Sequence, residues 1–163
     1  MDEVEELGLF LKAAVRESDR RVNEVLRPLG ITASQAEVLQ LLDRFGPMSL
    51  GELGSLVVAE GGHPSRLVDR MVQADLVVRQ SAVDDRRRVE LLPTERGRQL
   101  ATQARELKEG FRDWVSGQIE DVDLAPVRAF FLAYLAGTEL GETVRQRQSR
   151  STRAQGCPTR SGA

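Results

Sequence analysis

The sequence predicts a mainly α-helical protein with one small β-hairpin, which belongs to the α+β fold class. Three observations support this prediction. Apolar side chains recur every three or four residues along most of the chain, which is the period of an amphipathic helix. A serine or threonine followed three residues later by glutamate or glutamine predicts helix starts at Thr32 and Ser49. Two short apolar stretches, 76–80 and 89–92, have the length and composition of strands and flank an arginine-rich turn.

The centre of the chain predicts two helices joined by a tight turn. The first begins at Ser49, and Glu52 can complete a reciprocal cap with it. Apolar residues continue at helical spacing to Val57. The stretch 60–64 then breaks this pattern, because two glycines free the backbone and proline suits only a first helical turn. A second helix follows, whose polar face is Ser65, Arg66, Asp69, Arg70 and Gln73. A helix presented in this way can enter the major groove of DNA.

The predicted hairpin carries three consecutive arginines, Arg86, Arg87 and Arg88. Arginines that project from a hairpin can contact phosphates or enter a narrow minor groove, where the potential is most negative. A charged hairpin on its own is more often simply solvated. Next to a helix-turn-helix pattern, the DNA-contacting interpretation is favoured. We therefore predict that 31–98 is a winged helix-turn-helix DNA-binding domain.

Long helices are predicted on both sides of this domain. Apolar residues from Val4 to Leu26 form one continuous stripe, which fits either an ordinary core helix or a dimer arm. After the hairpin, Thr94 is expected to cap a long helix, and Asp123 a last helix that is apolar on more than one side. Such a helix needs a partner. We therefore predict that 1–30 and 99–145 form a helical dimerisation region.

The final residues lack apolar periodicity and are rich in Arg, Gln, Ser, Thr and Gly. This composition predicts that 146–163 is a disordered basic tail. Charge also separates the rest of the chain, although the net charge is only −2. Residues 1–60 carry six basic and eleven acidic side chains, whereas 61–98 carry eight and six. The basic excess therefore lies in the predicted DNA-reading part and in the tail, and an acidic body would disfavour wrong orientations on DNA.

Enzymatic, metal-binding and membrane functions are not expected. His63 is the single histidine, and no Cys/His cluster has metal-ligand spacing. The single cysteine, Cys157, lies in the predicted tail without a fixed base beside it. No apolar run approaches the roughly 20 residues of a membrane span, and no secretory signal is visible. We therefore expect a cytoplasmic protein with no catalytic residue, metal or cofactor.

The reading helix, the wing and the following helix start carry specific matches to a known family. These are the stretch Ser65–Arg70, Leu76 with Val77, the stretch Asp85–Arg87, and Thr94 with Gly97. From about residue 5 to 143 the chain resembles the MarR family of bacterial transcription regulators. The resemblance implies a homodimer, joined through the first, fifth and sixth helices, that binds a near-palindromic operator. It also implies repression that ends when a small molecule, often aromatic, enters a cleft.

The resemblance further implies a set of residues that contact DNA. In and just before the reading helix these are Gly62, His63, Ser65, Arg66 and Arg70, although Arg70 has an alternative role in bracing Asp69 or the wing. In the wing, Asp85 is implied to orient Arg87 for the minor groove, and Arg86 and Arg88 to contact flanking phosphates.

A ligand cleft is expected between the dimer helices and the head, which is the winged helix-turn-helix domain 31–98. Leu11, Val15, Phe111 and Trp114 are expected to line it. Simple core packing is the alternative role for these four residues. The chain also departs from the family pattern: 61–64 replaces a small polar run, Ala74-Asp75 replaces a glycine turn, and Pro93 predicts an early end to the second strand.

Two other functions remain open at this point. One is a winged-helix regulator that senses no small ligand. The other is a protein-interaction module that has lost DNA binding, an interpretation that Arg66 and the three wing arginines disfavour.

Overall fold

The computed structural model describes residues 2–58, 64–82, 85 and 87–155. Within them, the helices are α1 (Glu3–Leu26), α2 (Ala33–Phe45), α3 (Leu50–Gly54), α4 (Pro64–Gln73), α5 (Glu95–Gln118), α6 (Leu124–Tyr134) and α7 (Glu139–Gln155), with a 3-10 turn at Arg27–Leu29. The strands β1 (Val77–Ser81) and β2 (Val89–Pro93) form an antiparallel hairpin. The predicted fold class, mainly helical with a hairpin wing, is confirmed. None of the helices in these ranges combines the length and hydrophobicity that crossing a bilayer requires.

Local side-chain chemistry sets the predicted helix starts. The Thr32 hydroxyl accepts the N–H of Gln35 while the Gln35 side chain accepts the N–H of Thr32, so α2 begins with a reciprocal cap. Ser49 and Glu52 cap α3 in the same manner. Each cap satisfies N–H groups that have no partner within the helix, which is worth about 1 kcal/mol.

The core lies inside the head, where α2, α4 and the hairpin meet the start of α5. Its largest fully buried side chains are Leu26, Leu39, Leu42, Met48, Leu53, Leu56, Leu67, Met71, Leu76 and Leu91. Burial of one such side chain stabilises the fold by roughly 1.5–3 kcal/mol. Only Leu26 of α1 is buried, and no residue of α6 is. The apolar surfaces of α1 and α6 are therefore left largely uncovered within one protomer.

The helix α3 is shorter than the apolar spacing predicted. It ends at Gly54, and the N–H of Ser55 closes its last turn on the carbonyl of Gly51. Leu56 and Val57 are buried although they lie beyond the helix. A Cβ at Gly54 would lie 3.2 Å from Cγ of Pro64, so the start of α4 comes close to the end of α3. The chain turns early because the two helices meet there.

The wing is paired over its whole length, from Val77 opposite Pro93 to Ser81 opposite Val89. The expected early end of the second strand is wrong, since Pro93 is itself the last residue of β2. Proline is tolerated at a strand end, and the next N–H, that of Thr94, continues the pairing by donating to the carbonyl of Leu76 at 3.1 Å. A bridge between Met48 and Leu91 also fastens β2 to the segment that precedes α3.

The prediction of a disordered tail is wrong for residues 146–155, because α7 continues to Gln155. The Thr138 hydroxyl accepts the N–H of Gly141 at the start of α7, and Glu142 pairs with Arg145 along it. Apolar periodicity could not reveal this helix, because it reaches the head through arginines rather than through an apolar stripe. Residues 156–163, including Cys157, lie outside the described residues.

Candidate nucleic-acid interface

The reading helix α4 has two distinct faces. Leu67, Val68 and Met71 are buried in the core of the head. The opposite face is exposed and consists of Ser65, Arg66, Asp69, Arg70 and Gln73. Gly62 and His63, predicted to lie at its N-terminal end, fall outside the described residues. The predicted face is thus open to solvent along the whole of α4.

The C-terminal end of α4 is held by the start of α5. Asp75 adopts a left-handed conformation with φ of 54°. Glycine usually occupies such a position, but Asp tolerates it better than most other residues. The Thr94 hydroxyl donates to the carbonyl of Asp75 at 2.7 Å, and Arg96 donates to that of Ala74 at 3.3 Å. These contacts fix the direction in which α4 leaves the head.

An ion pair joins the reading helix to the wing. The guanidinium of Arg79, on β1, lies 2.7 Å from the carboxylate of Asp69, on α4. A wing residue that the sequence did not single out therefore braces Asp69. Both side chains are about half exposed, so the pair contributes no more than roughly 1 kcal/mol, but it restrains α4 and the wing relative to each other.

The tip of the wing is organised by Asp85. Its carboxylate accepts the N–H of Arg87 at 2.9 Å and its carbonyl accepts the N–H of Arg88 at 2.9 Å. The predicted orienting contact is therefore with the backbone of Arg87, whose side chain is exposed. Arg88 forms an ion pair of 3.0 Å with Glu90 on β2. Arg86 lies outside the described residues.

The cap of α3 makes head stability depend on pH. Glu52 accepts the N–H and the hydroxyl proton of Ser49, both at 2.8 Å, and these two hydrogen bonds hold its pKa below the ordinary value. A carboxylate with a depressed folded pKa adds stability that is present above its unfolded pKa, about 4.3, and is lost as the pH falls through the folded pKa.

We therefore expect Glu52→Gln to lower the free energy of unfolding at neutral pH and to reduce the loss of stability on acidification. Urea unfolding at pH values of about 7 and about 3 measures both quantities. The same substitution at Glu106, an exposed residue of α5, is the control for removing one carboxylate. Equal acid sensitivity of the Glu52→Gln protein and the wild type would contradict the expectation.

The four predicted cleft residues do not line one cleft. Phe111 and Trp114 stack with ring centroids 5.9 Å apart and line a cavity of about 280 Å³ between α5 and α1. The guanidinium of Arg21 lies 3.7 Å from the centre of the Trp114 ring. Val15 lines a different cavity of about 730 Å³ towards the head, and Leu11 lines neither. Val15 and Arg21 are six residues apart, which places them about 120° apart around α1.

Comparison with known proteins shows where this arrangement recurs. The model of the MarR family matches residues 31–89, from the start of the head to the second strand of the wing. A mutant MarR from E. coli complexed with operator DNA is similar in structure, with a TM-score of 0.66 and 26% identity over 82% of this chain and 96% of that one. Residues 31–89 are therefore similar to the MarR family, and the fold is that of a MarR protein.

Two curated relatives from Bacillus subtilis (strain 168) are similar to part of the chain. The uncharacterized HTH-type transcriptional regulator YcgE is 33% identical over 84 residues, which cover 52% of this chain and 51% of YcgE. The HTH-type transcriptional regulator MhqR is 28% identical over 91 residues, 56% of this chain and 63% of MhqR. The chain thus spans between half and two thirds of the length of these HTH-type relatives.

Proposed function

We propose that this chain is a sequence-specific regulator of transcription that binds double-stranded DNA, and not an enzyme. The observation that carries the proposal is the exposed polar face of α4, fixed beside an arginine-bearing wing in one rigid head. The similarity to a MarR protein complexed with operator DNA supports it. A regulator of this kind would work in the cytoplasm, where the chromosome of a bacterium lies.

In the proposed complex, α4 enters the major groove. Ser65 and Arg66, in its first turn, are placed to meet base edges, where arginine can donate two hydrogen bonds to a guanine. Arg70, one turn further along, meets the sugar-phosphate backbone. Arg87 reaches from the wing into the minor groove, where a narrow groove concentrates negative potential. Arg88, with Arg86 and the segment containing Gly62 and His63, completes the proposed contacts.

The proposed active form is a homodimer on a near-palindromic operator, assembled through 1–30 and 99–145. Exposed apolar residues on α1 and α6 support this assembly. A dimer of this type would place its two reading helices about one DNA turn, roughly 34 Å, apart.

We further propose that the dimer represses transcription and releases DNA when a small apolar or aromatic molecule binds. The cavity beside Phe111 and Trp114 supports this proposal, because two stacked rings suit a flat aromatic ligand. It lies between α1 and α5, so a ligand there would act on the helices that set the spacing of the two heads.

We expect Arg87→Ala and Arg66→Ala each to weaken binding to the operator by about tenfold, with the larger loss for Arg87→Ala. The two losses differ in kind. Removing Arg87 takes away an electrostatic contact and should reduce the dependence of affinity on salt, whereas removing Arg66 should mainly reduce the preference for the operator over unrelated DNA. The measurement is binding of purified protein to its own upstream DNA at two salt concentrations.

Arg112→Ala is the matched control, because Arg112 is an equally exposed arginine on α5, away from the reading face. Its affinity should equal that of the wild type. If the wild type binds its upstream DNA no more tightly than unrelated DNA, the proposed function is wrong. If Arg87→Ala leaves the affinity unchanged at low salt, the wing contact is wrong.

A further inference from the structure

Glu37 is a charged residue buried in the head, and it contacts the segment that leads to the reading helix. It lies on α2 with only 9% of its surface exposed. Both of its carboxylate oxygens lie 3.2 Å from the backbone nitrogen of Val58, and they accept that N–H. Val58 is the last described residue before 59–63, the connection to α4. The carboxylate therefore anchors the start of this connection.

A residue from the far end of the chain holds this carboxylate in place. Nη1 of Arg147, on α7, lies 2.5 Å from Oε1 of Glu37, across 110 residues of sequence. Arg147 is two-thirds buried, so water screens the pair less than an ion pair at the surface. A second ion pair from α7 reaches the helix-turn-helix, since Arg150 lies 3.5 Å from Glu52 on α3. The helix α7 is thus attached to α2 and to α3.

The same carboxylate also influences α5. Lys108 donates from Nζ to the side chain of Gln40 at 3.3 Å, one helical turn from Glu37 on α2. Burial lowers the pKa of Lys108, while attraction to Glu37 opposes that change and repulsion from Arg147 adds to it. Glu37 therefore pairs with a cation of α7 and attracts one of α5, and both helical positions lie outside the predicted DNA-binding domain.

We propose that Glu37 and Arg147 are positioning residues for DNA reading, through which α7 fixes the backbone at Val58 and hence the approach to α4. The proposal rests on the proposed function, since it concerns how the reading helix is presented to DNA. A buried carboxylate that loses its cation is costly and turns towards solvent. The N–H of Val58 would then lose its acceptor, and the backbone at Val58 would be free to open locally while the core remains folded.

The decisive variant is Arg147→Gln, which removes the cation and keeps most of the side chain. Its matched control is Arg145→Gln, on the same helix, because Arg145 pairs with Glu142 along α7 and not with the head. We measure hydrogen exchange of the Val58 amide by NMR and affinity for operator DNA, at a temperature far below the unfolding transition. Arg147→Gln should speed the exchange and weaken the affinity by about tenfold each, the usual scale for a charge-assisted hydrogen bond.

Further variants separate positioning from general loss of stability. Arg147→Lys keeps the charge and should restore most of the slow exchange at Val58. In Glu37→Gln, the exchange rate of the Val58 amide should lie between those of the wild type and of Arg147→Gln. The proposal would be overturned if the Val58 amide exchanged as slowly in Arg147→Gln as in the wild type, or if Arg145→Gln accelerated that exchange equally. A wild type that binds no operator would refute the proposed function instead, and exchange at Val58 would still decide whether α7 positions the turn.

Discussion

Gly97→Ala is expected to lower the free energy of unfolding by about 3 kcal/mol, because a methyl group at this position overpacks the site where the wing meets α5. A Cβ on Gly97 would lie 2.1 Å from the carbonyl oxygen of Leu76 and 3.1 Å from Cδ2 of Leu39. The nearer atom belongs to the backbone, so no side-chain rotation can relieve the contact. The start of α5 would have to move away from the wing.

That movement would break the contacts that join the start of α5 to the residues that follow α4. The Thr94 hydroxyl accepts the N–H of Gly97 at 2.9 Å and donates to the carbonyl of Asp75, while the N–H of Thr94 donates to Leu76. Gly97 therefore serves a close approach between two backbones, which explains why the threonine-x-x-glycine spacing is found at this helix start. A larger residue here would disturb the fold and the direction of α4 together.

The measurement is thermal unfolding of Gly97→Ala beside Gly110→Ala. Gly110 lies in the same helix, and a Cβ there would meet nothing within 4 Å among the described residues. Its replacement should therefore stabilise α5 by about 0.5–1 kcal/mol. We expect the transition temperature to fall by roughly 6–12 °C for Gly97→Ala and to rise slightly for Gly110→Ala. A fall of similar size in both variants would show that helix α5 is merely intolerant of alanine.

Features that depend on near neighbours in sequence could be predicted. The caps at Thr32 and Ser49 involve residues three positions apart, so the sequence alone specifies their geometry. The exposed face of α4 follows equally from the helical period. The left-handed turn at Asp75 could not be predicted from glycine alone, because a non-glycine residue adopts it there.

Contacts between distant parts of the chain could not be predicted in this way. The pair of Asp69 with Arg79 depends on how the wing lies against α4, and the pair of Glu37 with Arg147 depends on α7, whose sequence lacks an apolar stripe. Charged side chains are usually solvated, so neither pair has a pattern that distinguishes it. The division of the predicted cleft has the same origin, since Val15 of α1 and Trp114 of α5 line different cavities.

Replacing Phe10 and Phe131 together with glutamate is expected to convert a dimer into a folded monomer. Phe131 is 42% exposed and lies on α6, a helix with no buried residue in one protomer. Its ring packs at 5.3 Å from that of Phe130, which in turn lies 5.8 Å from that of Tyr134. Phe10 is 59% exposed on α1. Large apolar side chains exposed on two helices are characteristic of an interface, and charges placed there oppose association.

The loss of the dimer should also have the largest effect on DNA affinity. A dimer binds its second half-site at a high effective concentration, and a monomer loses that gain, so we expect affinity to fall by at least about a hundredfold. Sedimentation at micromolar concentration measures assembly, and in this measurement Val78→Glu, at an exposed apolar position on the wing, is the control for adding a charge. Because both phenylalanines lie largely outside the protomer's core, circular dichroism should show unchanged helix content. A wild type that sediments as a monomer would refute the dimer, and a double variant that remains dimeric would place the interface on another surface of the helices.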